Sequence, residues 1–368
     1  MAFSFGFAGD DIDIDDYDVN DTQDASVQTH AGSRNSLPEL VKPCKHILEE
    51  WLSILPSQIF YNRLAINGTP IVIARREIID IRTQLMAEDT ADHENEELIA
   101  GLEEGDLKPN FYEGGFKTWE CSLDLAKLVA NESTTIESLD DSQTNFHIIE
   151  LGSGTAVPSL TLFAHIMKQT VPSQGATPQR KILFTCADYN DDVLRLVTLP
   201  NLLLTWHHIR QQSNTVVEQE ATPVQPEEEL DITPELIDEF KNDLTRRGII
   251  LNFVSGAWSP EFVDLVFSAC EAEDFKTLLL ASETIYSPAS LKAFSETLLE
   301  LLRRSSTAPV KSRAMIAAKK VYFGVGGGVD EFLAVLKDVS GSELAVEQRV
   351  DMQSEGVGRV VLEVTPAN

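Results

Sequence analysis

Residues 145–160 read N-F-H-I-I-E-L-G-S-G-T-A-V-P-S-L, an apolar run that leads into two closely spaced glycines. The run Phe146–Leu151 ends at Gly152 and Gly154, and a second apolar stretch containing Pro158 follows. Short apolar runs bounded by glycine predict buried strands, and proline favours the first turn of a helix. The stretch therefore predicts a strand, a tight loop and a helix, which is a unit that commonly holds a nucleotide.

Strands and helices continue to alternate from about residue 110 to the end of the chain. The strands are predicted at Phe146–Leu151, Lys181–Ala187, Ile249–Val254, Thr277–Ser282, Ala314–Lys319 and Gly358–Val364. The helices between them are predicted at Leu123–Ala130, Ser159–Lys168, Val193–Ile209, Glu261–Ala269 and Ala289–Arg304, with a short one at Glu331–Lys337. This alternation predicts an α/β fold with a doubly wound, mostly parallel sheet and helices on both faces. The last strand is expected to be antiparallel at the sheet's edge.

The first 110 residues have a different character. Residues 1–40 are predicted to be a disordered acidic arm, and residues 41–110 an extension built from a helix and a hairpin. The helix is predicted within C-K-H-I-L-E-E-W-L, from Cys44 onward, and the hairpin at Ile59–Ile66 and Ile71–Ile79 around an N-G-T-P turn. The polar stretch Met86–Lys108 is predicted to be a linker or a mobile loop.

The charge is strongly negative and unevenly distributed. The formal net charge is -30, with eight aspartates and no Lys or Arg before Arg34, and nine acids and no Lys or Arg from Gln211 to Phe240. Such blocks favour disorder, so an acidic insertion at 211–240 is predicted. They act either as solvated segments or as attractants for a basic partner. Both alternatives argue against binding of naked nucleic acid, which needs a basic face.

The cysteines and the lack of a long apolar stretch indicate the compartment in which the protein is expected. The four cysteines are far apart, which fits reduced thiols and predicts neither a disulfide framework nor a metal site. The start lacks a secretory signal, and no stretch reaches the roughly 20 apolar residues of a membrane span. A cytoplasmic and nuclear monomer that does not bind membranes is therefore expected.

The glycine loop lacks the features of phosphate-binding loops. In G-S-G-T-A-V, Val157 takes the third position of a dinucleotide fingerprint, and no Walker lysine follows. What remains is E-x-G-x-G, in which Gly152 and Gly154 let the backbone pass close under a ligand and Glu150 supplies negative charge. This combination favours a cationic ligand without phosphate, such as S-adenosylmethionine.

The ends of the following strands supply further candidates. Asp188 ends the second strand, where an acid binds ribose hydroxyls in doubly wound folds; this role is preferred over a solvated strand-end acid or a cap of the next helix. Trp258 follows the third strand and could stack on adenine or pack in the core. Ser282, Glu283 and Tyr286 follow the fourth strand, next to the expected reactive methyl, although Tyr286 could instead cap the core. Glu120 either faces the ligand or simply favours the first turn of its helix.

Several motifs together resemble one known family. They are F-S-F-G-F (residues 3–7), G-G-F-K-T-W-E-C (114–121), E-L-G-S-G (150–154), A-D-Y-N (187–190), S-G-A-W-S (255–259), S-E-T-I-Y (282–286) and Y-F-G-V-G-G-G (322–328). The chain resembles the protein-histidine N-methyltransferases of the seven-strand S-adenosylmethionine-dependent class, which methylate a histidine of a large-subunit ribosomal protein. The resemblance covers most of residues 110–368, so that 111–368 would be the methyltransferase domain.

The resemblance implies a set of cofactor contacts in addition to Glu150 and Gly154. They are Thr118, Trp119, Glu120, Cys121, Ser122, Gly152, Asp188, Tyr189, Asn190, Gly256, Ala257, Trp258 and Ser282. Ala257 departs from the family pattern, since relatives often carry a polar residue there that contacts adenine. The loop at 322–328 is expected to be either a flexible lip near the acceptor or a plain glycine-rich loop.

The expected activity is methyl transfer from S-adenosylmethionine to a histidine. A neutral imidazole needs no strong base, because its pKa is about 6.5. It does need an acceptor for the N–H of its other nitrogen, and Glu283, with Tyr286 second, is the catalytic candidate. Two alternatives stay open: methylation of a lysine in a translation factor, and a non-catalytic acidic chaperone for a basic ribosomal protein.

Overall fold

The computed structural model describes residues 41–88, 95–103, 114–141, 143–169, 178–214, 228–270, 274–305, 312–324, 326–353 and 356–367. The acidic arm predicted over residues 1–40 lies outside the described residues, as do residues 215–227 of the acidic insertion. Within the described part of the chain, no helix combines enough length with enough apolar character to cross a bilayer.

The elements follow the alternation that the sequence predicts. The strands are β1 Cys44–His46, β2 Gln58–Ala65, β3 Val72–Arg76, β4 Phe146–Leu151, β5 Ile182–Asp188, β6 Glu228–Asp231, β7 Ile249–Ser255, β8 Lys276–Ser282, β9 Arg313–Lys319, β10 Leu344–Met352 and β11 Arg359–Pro366. The helices are α1 Leu48–Ser53, α2 Ile78–Glu88, α3 Glu96–Glu103, α4 Glu120–Asn131, α5 Ser133–Asp140, α6 Val157–Met167, α7 Asp191–Val193, α8 Leu199–Asn214, α9 Pro234–Arg247, α10 Pro260–Phe267, α11 Pro288–Ser305 and α12 Val329–Ser340. A π-helical segment, Leu194–Thr198, joins α7 to α8.

The central sheet confirms the α/β prediction. Its strand order is β1-β7-β5-β4-β8-β9-β11-β10, and β7, β5, β4, β8 and β9 run parallel. Every residue of β4 and β5 is buried, as expected for strands that are covered by helices on both faces. The chain order reverses at β4, which lies between β5 and β8. A doubly wound sheet forms its ligand crevice at such a reversal.

The two ends of this sheet differ from the prediction. The last strand, β11, is antiparallel as expected, but it lies between β9 and β10 and not at the edge. The edge strand β10 is absent from the prediction because most of its side chains are exposed and it carries no apolar run. At the other end, the predicted helix from Cys44 is wrong in its first residues. Those residues form β1, which pairs antiparallel with β7 as an eighth strand.

The hairpin of the extension belongs to a second sheet of order β3-β2-β6. Its second strand ends at Arg76, short of the predicted Ile79, because Ile78 already begins α2. Much of the predicted linker 86–108 is helical instead. Helix α2 reaches Glu88, and α3 packs against it through Leu102 on Ile81 and Leu85.

The prediction of disorder over residues 211–240 is wrong for its described part. Residues 211–214 end α8, Glu228–Asp231 form β6, and Pro234 begins α9. Thr233 caps α9 by accepting the Leu236 N–H at 3.2 Å, which satisfies one free amide of the first turn. The buried Phe240 ring then packs on Trp206 with centroids 5.3 Å apart. The packing of apolar residues on one face of α9 therefore stabilises the helix despite its acidic composition.

We expect Phe240→Ala to lower the free energy of unfolding by about 3–5 kcal/mol, because the ring is fully buried and its loss leaves a cavity. Urea titration of both proteins measures the difference. Phe60→Ala is the matched control, since that ring is 40% exposed and should cost about 1 kcal/mol or less. Equal midpoints for Phe240→Ala and the unchanged protein would show that α9 does not dock as described.

Candidate active site

The carboxyl ends of the parallel strands meet along one edge of the central sheet. Strand β4 runs into Gly152, β5 ends at Asp188, β7 runs into Gly256, β8 runs into Glu283 and β9 ends at Lys319. Since β4 marks the reversal of chain order, the rule for doubly wound sheets places the ligand crevice between the ends of β5, β4 and β8. Most of the residues predicted from the sequence as site residues lie along this edge.

The loop after β4 requires glycine at two positions. Gly152 has φ 62°, and a Cβ there would lie 2.7 Å from Thr284 Cγ2. Gly154 has φ 49°, and its N–H donates to Asp188 Oδ2 at 2.9 Å while its carbonyl accepts from Thr198 Oγ1 at 2.7 Å. Positive φ and close approach are conditions that a side chain does not tolerate. The loop is therefore held in one shape from both sides.

Glu150 is a buried acid with one unpaired oxygen. Its Oε2 accepts the Ser159 N–H at 2.9 Å, at the start of α6, whereas Oε1 has no hydrogen-bond partner among the described residues. Burial raises the pKa of Glu150 to about 8, Ser159 opposes that rise, and the nearby Asp188 adds to it. A buried acceptor without a donor is costly, so this oxygen suits a ligand that brings a proton donor or a positive charge.

Asp188 organises the neighbouring loops. Besides Gly154, its carboxylate binds the Asn190 N–H at 3.2 Å, and its backbone carbonyl accepts the Gly256 N–H at 3.0 Å. The side chain is buried, and the Asn190 amide reaches the Gly114 carbonyl at 3.4 Å. A carboxylate at the end of the second parallel strand is the group that binds ribose hydroxyls in doubly wound folds. Tyr189 is half-buried between these two residues.

The segment after β7 lies against the first described residues. Gly256 has φ 108°, and a Cβ there would lie 2.7 Å from the Pro43 Cα. The Ala257 N–H donates to the Val41 carbonyl at 3.0 Å. Trp258 is half-buried, and its ring meets the Phe262 ring edge-on at 5.1 Å and the Phe294 ring at 5.9 Å. Its contacts within the chain are thus those of core packing, the alternative that the sequence left open.

The start of α4 supplies the predicted group Thr118–Ser122. Thr118 is buried, accepts from Arg75 Nη1 at 2.9 Å and lies 3.2 Å from Thr155 Oγ1 in the glycine loop. Ser122 Oγ donates to the Trp119 carbonyl at 2.6 Å. Glu120 pairs with Arg359 at 3.2 Å. The group is therefore joined to the glycine loop through Thr118, while Glu120 is engaged by β11.

Glu283 follows Ser282 at the end of β8, opposite the glycine loop. It is a non-glycine residue with φ 56°, and its N–H donates to the Ala317 carbonyl at 3.0 Å. The Tyr322 hydroxyl donates to Oε2 at 2.5 Å, and Oε1 is buried without a hydrogen bond to any described residue. Burial raises the pKa of Glu283, and interactions with Cys121, Tyr322 and Lys319 oppose that rise.

Lys319 and Thr284, which lie near Glu283 in the structure, were not singled out from the sequence. Lys319 is buried at the end of β9 with its ammonium 5.5 Å from the Trp119 ring centroid. Thr284 packs under Gly152, and the Tyr286 ring meets the Tyr322 ring edge-on at 6.3 Å. The rule that ligands lie at the carboxyl ends of strands could have identified Lys319. Tyr322 was expected near the acceptor only as part of the glycine-rich lip.

This arrangement defines a class of enzyme. It combines a doubly wound sheet, a glycine loop with a buried acid in place of phosphate-binding features, and an acid positioned for a ribose. These are the properties of a Rossmann-like methyltransferase that uses a nucleoside cofactor carrying a positive charge. A second acid, Glu283, follows β8 at the same edge of the sheet and has a buried Oε1.

Comparison with known proteins identifies the family. The chain is 33% identical over 371 residues to histidine protein methyltransferase 1 of Schizosaccharomyces pombe, covering 100% of this chain and 95% of that protein. It is 32% identical over 376 residues to histidine protein methyltransferase 1 of Saccharomyces cerevisiae, covering 93% and 92%. No family model matches the sequence. The chain therefore belongs to the family of histidine protein methyltransferases, which confirms the resemblance.

Likeness to solved structures is weaker. TrmK of M. capricolum, in complex with S-adenosyl-homocysteine, aligns with TM-score 0.28 and 11% identity over 64% of this chain and 68% of that chain. That likeness is too low to bear on the site. S-Adenosylmethionine is the cofactor that membership of the family implies. The residues fit it, because Glu150 offers a buried oxygen that has no hydrogen-bond partner among the described residues.

We expect the stability of the cofactor-free protein to depend on the protonation of Glu150. Because its pKa is raised to about 8, the folded state binds a proton that the unfolded chain releases near pH 4.5. The resulting stabilisation is complete at low pH and is lost as pH rises towards 8. Between pH 6 and 7.5 the unchanged protein should lose about 2 kcal/mol relative to Glu150→Gln. Urea unfolding of both proteins at about pH 6 and pH 7.5 measures this difference in the free energy of unfolding. An equal change with pH in the two proteins would contradict a protonated Glu150.

Proposed function

We propose that the protein methylates a histidine side chain of a basic protein, and that this substrate is a protein of the large ribosomal subunit. The observation that carries the proposal is the half-buried Glu283 directly after β8, whose buried Oε1 has no hydrogen-bond partner among the described residues. An oxygen held there can accept the N–H of an imidazole whose other nitrogen faces the methyl donor.

The chain's own residues have modest chemical work to do. When bound, S-adenosylmethionine supplies an electrophilic methyl group on a positively charged sulfur. Glu283 Oε1 accepts the N–H of the distal imidazole nitrogen, which fixes the tautomer and leaves the reacting nitrogen with a free lone pair. As positive charge spreads over the ring, the same carboxylate stabilises it. The glycine loop and Asp188 would hold the cofactor, and alignment of its methyl group with the acceptor nitrogen would lower the barrier.

The charges around Glu283 favour histidine over lysine as the acceptor. A lysine must lose a proton before attack, whereas an imidazole is largely neutral near pH 7. Lys319 is buried close enough to Glu283 to lower the pKa of its carboxyl, so the pocket already contains one ammonium. A second ammonium would be repelled by it. A neutral imidazole is therefore preferred over a lysine ammonium as the methyl acceptor.

The overall charge supports a basic substrate. The protein carries 59 acidic and 29 basic residues, which produces a field that attracts a cationic partner. Ribosomal proteins are basic because they bind RNA. A substrate of this type is met in the cytoplasm and the nucleus, where we expect the enzyme to act.

Labelled methyl transfer tests the proposal directly. The purified protein is incubated with labelled S-adenosylmethionine and purified large-subunit ribosomal proteins, and the labelled band is hydrolysed to amino acids. Label in methylhistidine supports the proposal, whereas label in methyllysine overturns it. Absence of label, together with no thermal stabilisation by S-adenosylhomocysteine, would favour an acidic chaperone instead.

We expect Glu283→Gln to lower kcat about 100-fold, because the neutral amide no longer stabilises the positive charge that develops on the acceptor ring. The KM for S-adenosylmethionine should stay within about twofold, since the change lies at the acceptor end. Glu343→Gln is the matched control, as Glu343 is an exposed acid paired with Arg303 on another face. An unchanged kcat for Glu283→Gln would exclude its proposed role.

A further inference from the structure

Tyr322 makes a chain of two hydrogen bonds that ends on Glu283. The Lys319 N–H donates to the Tyr322 hydroxyl oxygen at 3.2 Å, and the hydroxyl donates to Glu283 Oε2 at 2.5 Å. Because the incoming N–H occupies one lone pair of the hydroxyl, its proton is directed to the carboxylate. Burial and the neighbouring Glu283 raise the pKa of Tyr322 well above its ordinary value. The hydroxyl therefore stays protonated and acts as a donor.

The backbone around Tyr322 fixes the ring at the base of the glycine-rich lip. The Tyr322 N–H donates to the Gly327 carbonyl at 3.0 Å, and the Gly326 N–H donates to the Tyr322 carbonyl at 3.1 Å. Gly327 lies so close to the Tyr286 backbone that a Cβ would come within 2.1 Å of its carbonyl oxygen. Phe323, by contrast, is 78% exposed. The base of the lip is thus bonded to itself and packed on the segment after β8.

Glu283 depends on such external restraints. A non-glycine residue at φ 56° occupies a sparsely populated backbone region, at a cost of about 1–3 kcal/mol. The Tyr322 hydrogen bond to Oε2 restrains the rotation of the carboxylate, and Oε1 is the oxygen without a hydrogen-bond partner among the described residues.

We propose that Tyr322 is a positioning residue for methyl transfer, which holds Glu283 so that Oε1 is presented to the acceptor. The inference rests on the proposed function, because it assigns Glu283 the acceptor N–H. The inference also connects two parts of the site. Tyr322 belongs to the glycine-rich lip that carries Phe323, and its hydroxyl binds the carboxylate proposed to bind the acceptor. Tyr286, the second catalytic candidate from the sequence, contacts Tyr322 by its ring.

The role has a pH signature that packing alone would not produce. Burial raises the pKa of Glu283, and the Tyr322 hydrogen bond opposes that rise. Removing the hydroxyl therefore raises the pKa further, so more of the carboxyl is protonated at a given pH. The groups that face this carboxyl from the packed elements are Tyr322, Lys319 and Cys121. The acidic limb of the kcat profile should then move to higher pH.

Tyr322→Phe, Glu283→Gln and the double variant test the proposal, with Tyr61→Phe as the matched control. Tyr61 donates a comparable hydrogen bond, at 2.7 Å to Glu228, in the second sheet. We expect Tyr322→Phe to lower kcat about 10- to 100-fold at unchanged KM for S-adenosylmethionine and to shift the acidic limb upwards. The double variant should be no slower than Glu283→Gln, because both changes act through one carboxylate. Tyr61→Phe should match the unchanged protein.

Three results would overturn the role of Tyr322: an unchanged kcat and pH profile, losses that multiply with Glu283→Gln, or lost activity together with lost binding of S-adenosylhomocysteine. A readout without substrate separates this from failure of the proposed function. In urea unfolding, the stability that Glu283 contributes is lost as pH rises through its raised pKa, and Tyr322→Phe should extend that loss to higher pH. If Tyr322→Phe changes the pH dependence of unfolding but no histidine is methylated, the coupling of Tyr322 to Glu283 is supported and the proposed histidine substrate is wrong.

Discussion

Asp188 is the residue on which the arrangement of the crevice depends. Its carboxylate holds the Gly154 and Asn190 amides, and its carbonyl holds Gly256, so that three loops after β4, β5 and β7 share one anchor. All three loops lack regular structure of their own and would otherwise move independently. The buried position of the carboxylate strengthens each bond, because water does not compete there. The geometry available to a cofactor is thus set before any ligand arrives.

The parallel strands could be predicted from the sequence because buried strands are rich in apolar residues. Strand β4 matches its predicted bounds, and β5, β7, β8 and β9 differ by a residue or two, since each is rich in apolar residues. The elements that escaped prediction depend on tertiary partners instead. Strand β1 has three residues and gains its conformation by pairing with β7, and α9 is a mostly polar helix that packs on Trp206 through Phe240.

The candidate site divides in the same way. The positions of Glu150, Gly152 and Asp188 follow from topology, because the ends of neighbouring parallel strands must meet at one edge of the sheet. The partner of Glu283 does not follow from topology. Tyr286, three residues from Glu283 in the chain, was the second catalytic candidate, whereas Tyr322, which is 39 residues away, makes the hydrogen bond to Glu283. That choice depends on a positive φ at Glu283 and on the loop that turns the Tyr322 ring inward.

The outer strand of the sheet has a bearing on whether copies of the chain can pair edge to edge. Strand β10 is nine residues long and has no strand partner on its outer side among the described residues. Such an edge invites strands of other molecules to add to it. Its register shifts between Gln348 and Val350, and Glu347, Arg349 and Asp351 place charges along it. A kinked and charged margin offers a poor template for intermolecular pairing, so the sheet can grow no further and aggregation through this edge is discouraged.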